Sequence, residues 1–378
     1  MGFTYLIPCL LGLEGLIAEE LRDMQAENVR AENGRVFFEG EADILARANI
    51  RCRYAERVQV VVGAFAAQSF EELFQGTKAL PWEDWIGIRD AFPVKGYSLN
   101  STLFSVSDCQ AIIKKAVVER LKSIHNVEWF EETGALHQIQ FSIMKDQVTI
   151  VLDSSGAGLH KRGYRLAAGE APLKETLAAA MCRLARLRPT HALYDPMCGS
   201  GTILIEGALM ARNIAPGKNR NFSAERWSQF PPGIWAEERA KAIALERPAP
   251  AFCGYGSDID EDILAVAKEN AARAGVADLI QFKKADLKDF QFQTECGTLI
   301  TNPPYGERLL DAEQAQLLFK LMGRVFVPQR GRSFAILSPD EVFEQSFGRK
   351  ADARRKLYNG MLKCQVYMYF KAIERIVV

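Results

Sequence analysis

Apolar and polar positions change period several times along this chain, and the changes divide it into three stretches. Residues 5–10 form an extended apolar run, after which Leu13, Leu16, Ile17 and Leu21 recur at helical spacing. Asn33-Gly34 signals a turn before a strand at Val36-Phe37-Phe38-Glu39, and residues 44–50 predict a short helix. Residues 1–55 therefore read as a small α+β unit. Residues 56–155 repeat the style, with a β-branched strand over 58–65 and extended pieces on either side of an expected Lys95-Gly96 turn. Asp108 is the expected N-cap of a helix whose apolar stripe is Ile112, Ile113, Ala116, Val117 and Leu121. Its other face carries Lys114, Lys115, Arg120 and Lys122, and a hairpin about Lys145-Asp146 then joins strands over 139–144 and 148–152.

The third stretch is reached through a charged connector, 156–188, that contains His160-Lys161-Arg162-Gly163-Tyr164-Arg165. His160 reads as a solvated loop histidine, whereas the Arg162/Arg165 pair suits a phosphate or a cofactor carboxylate. Pro172 fits the first turn of a helix with Leu177, Met181 and Leu184 on its apolar side. From residue 190 strands and helices alternate, which predicts an α/β domain over 160–378. A strand at 191–194 ends in Asp195-Pro196-Met197-Cys198-Gly199-Ser200-Gly201-Thr202, and an apolar helix over 203–210 follows. Residues 213–250, with Trp227 and Trp235, read as an irregular insertion. The next strand, 251–257, ends in Asp258-Ile259-Asp260 and leads to a helix closed by Gly275. Residues 280–283 run into Ala285-Asp286, and the apolar run 297–300 stops at Thr301-Asn302-Pro303-Pro304-Tyr305-Gly306. A helix over 315–327, a strand over 333–337 and a closing pair near 354–358 and 364–371 complete the pattern.

With 378 residues the chain exceeds one core, so two or three domains are expected. No apolar run reaches the length of a membrane span, and the N-terminus lacks the basic start of a signal peptide, which points to a cytoplasmic protein with no membrane partner. The eight cysteines include no C-x-x-C pair, which argues against a zinc module or any metal site and suits reduced thiols. Net charge is zero, yet residues 1–155 hold 15 Lys+Arg against 22 Asp+Glu, leaving the second half at +7. The half with the strand-end motifs is thus the one biased toward a polyanion.

Four expected strand ends carry polar residues: Asp195, Asp258, Asp286 and Asn302. In an open parallel sheet such ends border one crevice, where strand order reverses. Gly199-Ser200-Gly201 would let a ligand approach the backbone, ahead of a helix N-terminus that favours an anionic group. A third glycine is missing, Leu204 standing in its place, which disfavours a nicotinamide enzyme. At the last strand end two prolines fix an extended tip bearing two acceptors, the Asn302 side-chain oxygen and the Pro303 carbonyl, beside the Tyr305 ring. That combination suits a flat heterocycle with an exocyclic amino group.

The Asn302-Pro303-Pro304-Tyr305 run resembles the signature of amino-methyltransferases, and Asp195 to Thr202 resembles the first motif of class I enzymes that use S-adenosylmethionine (SAM). The stretch from Asp108 to Ala116 is similar to part of a THUMP domain, an RNA-binding module. With Lys161 to Arg165, Asp258-Ile259-Asp260 and Gly306-Glu307-Arg308-Leu309, nearly the whole chain resembles THUMP-containing guanine-N2 methyltransferases of large-subunit ribosomal RNA. This resemblance implies a Rossmann-like class I domain preceded by a ferredoxin-like unit and a THUMP-like domain. It implies a methionine moiety over Met197, Cys198, Gly199, Ser200, Gly201 and Thr202, and ribose at Asp258 with Ile259. Adenine would lie at Asp286 with Leu287, and the target base at Asn302, Pro303, Pro304 and Tyr305. RNA contacts are expected at Lys114, Lys115, Lys122, Arg162 and Arg165. A tRNA guanine-N2 enzyme, an N6-adenine methyltransferase and a non-catalytic RNA-binding or assembly factor remain alternatives at this stage.

Overall fold

Alternating apolar residues in the N-terminal half build one continuous sheet. In the computed structural model, which describes residues 2–165, 173–247, 251–304, 312–360 and 362–370, that half contains β1 (Phe3–Pro8), α1 (Glu14–Asp23), β2 (Glu27–Glu32), β3 (Arg35–Gly40), α2 (Ala42–Arg51), β4 (Gln59–Ala66) and α3 (Phe70–Lys78). It continues with β5 (Val94–Leu99), α4 (Val106–His125), β6 (Gln138–Met144) and β7 (Gln147–Asp153). The strand order is β2-β3-β1-β4-β7-β6-β5, so the two expected α+β pieces share a sheet through antiparallel β1–β4 and β4–β7 pairing. Inward residues Ile139, Phe141, Ile143, Val148, Ile150 and Leu152 are buried, as are Ile113, Ala116, Val117 and Leu121 of α4.

The Lys145-Asp146 hairpin forms as the pattern implies, with both residues at positive φ. Three features differ. Lys95-Gly96 is no turn: β5 runs straight through it beside β6, because a Cβ on Gly96 would lie 2.3 Å from the Phe141 carbonyl oxygen. β2 has the polar sequence ENVRAE and so offers no apolar alternation to read. The N-cap of α4 is Ser105, one turn before the expected Asp108, which instead lies in the first turn, where its charge favours the helix dipole.

By internal packing one unit gathers Met1–Cys9, Ile17–Leu159 and Arg220–Lys241. The last piece is most of the expected insertion, and its aromatic residues explain the assignment. Trp227 is 3% exposed, stacks on His137 at 4.7 Å and donates from its indole nitrogen to the Leu136 carbonyl at 2.9 Å. Gln229 donates to the Trp85 carbonyl, and Ala224 N–H to the Ser154 carbonyl.

The other unit holds α5 (Glu175–Leu184), β8 (Ala192–Asp195), α6 (Thr202–Ala211) and, after α7 (Ile234–Ala244), β9 (Cys253–Asp258), α8 (Glu261–Arg273) and β10 (Ile280–Lys284). β11 (Gly297–Thr301), α9 (Ala312–Val325), β12 (Arg332–Ser338), α10 (Phe343–Phe347), β13 (Ala353–Asn359) and β14 (Leu362–Tyr369) complete it. Its sheet runs β10-β9-β8-β11-β12-β14-β13, parallel from β10 to β12, with β14 antiparallel to β12. Successive strands step outward from β8 to β10, then the chain returns to place β11 on the other side of β8. Strand order therefore reverses between β8 and β11, opening a crevice at their C-terminal ends. Helix α6 is buried on nearly every side, as its sequence, apolar but for Thr202, Glu206 and Gly207, requires.

Trp227→Ala should remove about 3–5 kcal/mol from the stability of the N-terminal unit, the cost of vacating a packed aromatic site. Urea unfolding of the full chain measures this, and an unchanged transition would mean that Arg220–Lys241 does not hold that unit together.

Candidate active site

Each expected strand-end residue lies at the C-terminal end of a parallel strand or just beyond it. Asp195 is the last residue of β8 and Asp258 of β9, while Asp286 follows β10 and Asn302 follows β11. Asp195 is 2% exposed, and its Oδ1 accepts from the Thr301 hydroxyl at 2.8 Å and the Met197 N–H at 3.3 Å. One carboxylate oxygen thus ties the end of β11 to the turn after β8. Burial, with the Asp258 charge adding, pushes Asp195 up to about 7 despite these bonds.

The glycine turn is built as a cradle. Gly199 and Gly201 have φ of 50° and 80°. A Cβ on Gly201 would press at 3.2 Å on both Ala267 and Phe282, whereas one on Gly199 would meet nothing within 4 Å. Gly201 is therefore needed for packing behind the turn, and Gly199 presents open space in front of it. The turn is held from outside: Gly199 N–H donates to Asp258 Oδ2 at 2.9 Å, Cys198 N–H to the Ser257 carbonyl, and the Asn270 amide to the Ser200 carbonyl. Asp258 Oδ1 also takes the Asp260 N–H, and Asp260 itself caps α8.

Beside Asp258, Ile259 is 70% exposed, an apolar plate next to an acid. Asp286 is half-buried and caps the turn that follows it through the Lys288 N–H, a bond that with the Lys288 ammonium holds its pKa below the usual range. Leu287 is buried beneath it. The Oδ1 of Asn302 is buried and has no hydrogen-bond partner among the described residues. Pro303 is buried and Pro304 half-buried. Tyr305 and Gly306-Glu307-Arg308-Leu309 lie outside the described residues, as do Ala171 and Pro172.

The expected RNA contacts fall differently. Arg162 and Arg165 are not surface cations. Arg162 is buried with its Nε 3.6 Å from Glu206, whose carboxylate also accepts from Tyr164 at 3.1 Å. Arg165 faces Glu175 at 3.6 Å and donates to Thr202 Oγ1, the first residue of α6, at 2.8 Å. A guanidinium committed to internal carboxylates supports the glycine turn from behind. Lys114 pairs with Glu132 at 2.6 Å and lies over the Phe92 ring. Lys115 is 4.0 Å from Glu119 and Lys122 3.6 Å from Glu128. The basic face of α4 is thus laced with glutamates.

Thr301, Asn270 and Glu206 escaped the reading of the sequence. Glu206 had a signal, being the one charge in the apolar segment TILIEGALMA, since a carboxylate buried there demands a cation. Thr301 and Asn270 carried none.

Comparison with known proteins adds three family matches: an RMKL-like methyltransferase domain over residues 162–368, an RlmL ferredoxin-like domain over 4–59 and a THUMP domain over 67–153. Among relatives, YpsC of Bacillus subtilis (strain 168), provisionally named an RNA methyltransferase, is 45% identical over 98% of this chain and 97% of its own. Ribosomal RNA large subunit methyltransferase K/L of Psychromonas ingrahamii is 35% identical over 97% of this chain, which spans about half (50%) of that longer protein. The crystal structure of SMU.472, provisionally named a methyltransferase and complexed with SAH, superposes with a TM-score of 0.92 at 39% identity, covering 99% of both chains.

The raised pKa of Asp195 has a definite sign. The folded state keeps a proton that the unfolded chain releases near pH 4, so this contribution to stability is full below about 4 and lost as pH rises toward 7. Asp195→Asn should remove roughly 2–3 kcal/mol of the stability difference between pH 5 and 8. Denaturant titrations of parent and variant at both pH values test this, and identical pH dependence would exclude Asp195 as the titrating group.

Proposed function

The chain belongs to the RMKL-like methyltransferase family and depends on SAM, and from that premise we propose that it methylates the exocyclic N2 of a guanine in RNA, most specifically in large-subunit ribosomal RNA. The observation that carries amino-group methylation is the buried Oδ1 of Asn302 at the tip of β11, unpartnered among the described residues. Guanine N2 and adenine N6 would both satisfy it, and the THUMP domain with the Gly306-Glu307-Arg308-Leu309 continuation, which resembles the guanine-N2 enzymes, favours guanine. An acceptor left orphaned in a protein interior costs about 1–3 kcal/mol, and a donor from a bound base would recover it.

The residues present fit the cofactor. Open space at Gly199 and the N-terminal end of α6 suit the methionine moiety, with Asp195, Met197, Cys198, Ser200, Gly201 and Thr202 forming the turn. Asp258 offers carboxylate oxygens to the ribose hydroxyls beside the exposed Ile259, and Asp286, with Leu287 buried beneath it, accepts from the adenine amino group. When bound, SAM supplies a methyl group on a positively charged sulfur.

The protein's own part is to prepare the nucleophile. The lone pair of a guanine amino group is delocalised into the ring, so the nitrogen is a poor nucleophile. Asn302 Oδ1 and the Pro303 carbonyl accept its two hydrogens, favour a pyramidal nitrogen and stabilise the positive charge that develops there. Pro303 and Pro304 hold these acceptors rigidly, which lowers the entropic cost of alignment. Tyr305 stacks on the base once it has left its neighbours. No histidine is required, because the proton can leave after transfer. The THUMP domain supplies RNA affinity, and no described helix is long and apolar enough to cross a membrane, in keeping with action on RNA in the cytoplasm.

Asn302→Ala should leave SAM affinity largely intact and slow transfer by roughly a hundred- to a thousandfold. Nucleoside mass spectrometry of ribosomal RNA methylated in vitro should find N2-methylguanosine, and N6-methyladenosine as the sole product would sink the guanine assignment. Asp258→Ala should weaken SAM binding by roughly 1.5–3 kcal/mol. Calorimetry giving equal affinity would remove Asp258 from the ribose site.

A further inference from the structure

A cluster of uncommitted positive charge in the methyltransferase unit lies on α9 and just after α10, away from the strand-end motifs. Between Gln314 and Pro339 the sequence has no acid and four bases, Lys320, Arg324, Arg330 and Arg332, and Arg349-Lys350 follow shortly after. A groove of about 460 Å³ is lined by Lys320, Arg324, Ser346 and Arg349. Gly323 makes the groove possible, since a Cβ there would lie 2.0 Å from the Phe347 carbonyl oxygen and would force α10 away from α9. Arg349 fixes one wall by donating to the carbonyls of Gly323 and Phe326. Among the described residues no carboxylate lies within 4.0 Å of it. Lys320, Arg324 and Lys350 are exposed and have no acidic partner within 4.0 Å among the described residues.

This is the reverse of α4, where each candidate lysine already has a glutamate. We propose that the α9–α10 groove binds the phosphate backbone of the RNA substrate, a contact that rests on the RNA reading above. Lys320 and Arg324 are one helical turn apart, about 6 Å along the axis, on the order of one nucleotide step of a single strand. Helix α9 starts shortly after the Asn302 tip, and Lys320 and Arg324 lie roughly 12–18 Å along it. A strand threaded from the target base along α9 would meet them within a few nucleotides. Unpaired exposed cations suit this role, because each phosphate they neutralise releases condensed counterions without first breaking an internal ion pair.

The test compares the full-length parent with a Lys320→Ala/Arg324→Ala variant, using protein-free large-subunit ribosomal RNA across a salt series. The variant should bind this RNA roughly three- to thirtyfold more weakly, the scale of two surface ion pairs. Its log Kd against log salt slope should shrink by about 1.4–1.8. Affinity for SAH should match the parent, which reports an intact cofactor site. Equal RNA affinity with an equal salt slope would overturn the groove while leaving the enzyme reading untouched. A loss seen on ribosomal particles but not on stripped RNA would also overturn it, reassigning the groove to a protein partner. If the parent itself binds no RNA, the RNA reading falls and the groove proposal falls with it.

Discussion

A single buried carboxylate oxygen sets the geometry on which the catalytic half depends. Asp195 Oδ1 is shared between the Thr301 hydroxyl and the Met197 N–H, and so bridges the point where strand order reverses. Parallel sheets leave their strand ends free to fray outward, and a crevice at such a reversal has no strand to close it. The bond couples the glycine turn to the tip bearing Asn302, so both strand ends share one reference point. Desolvating that carboxylate is costly, as its upward pKa shift records, and the fold offsets part of the cost with two donors.

A second layer of charge supports the same turn from behind. Arg165 reaches Thr202 at the start of α6 while facing Glu175, and Arg162 and Tyr164 converge on Glu206 within α6 itself. Ion pairs buried this deeply add little net stability over an apolar core, but removing one partner leaves the other unpaired. The motif Lys161-Arg162-Gly163-Tyr164-Arg165 therefore reads best as a brace whose failure would be felt at the glycine turn before α6.

Strand ends were legible in the sequence because their chemistry is local. Prolines, glycines and acids following short apolar runs mark them whatever the tertiary context, and Asp195, Asp258, Asp286 and Asn302 all lie at the crevice side of their strands. What stayed hidden depended on partners distant in sequence. Gly96 looked like a turn because its reason for being glycine, the Phe141 backbone, is 45 residues away. Arg162 looked like a surface cation because nothing nearby names Glu206 as its counter-charge. The glutamates that neutralise α4 include Glu128 and Glu132, beyond the end of that helix. Charge read from sequence tells how much there is, and only the fold tells how much is left over.

The N-terminal unit needs a strip of chain, Arg220–Lys241, whose last residue is translated 82 residues after the Leu159 that would otherwise finish it. At about 5–20 residues per second a ribosome takes roughly 4–16 s to cover that distance. For most of that interval the faces of Trp85 and His137 that Trp227 will cover face solvent on a nascent chain, while α5, β8 and α6 of the second unit are already emerging. Completion of the first unit is thus timed by synthesis of the second, which makes this stretch of translation the window in which a chaperone has most to protect and a premature stop most to expose.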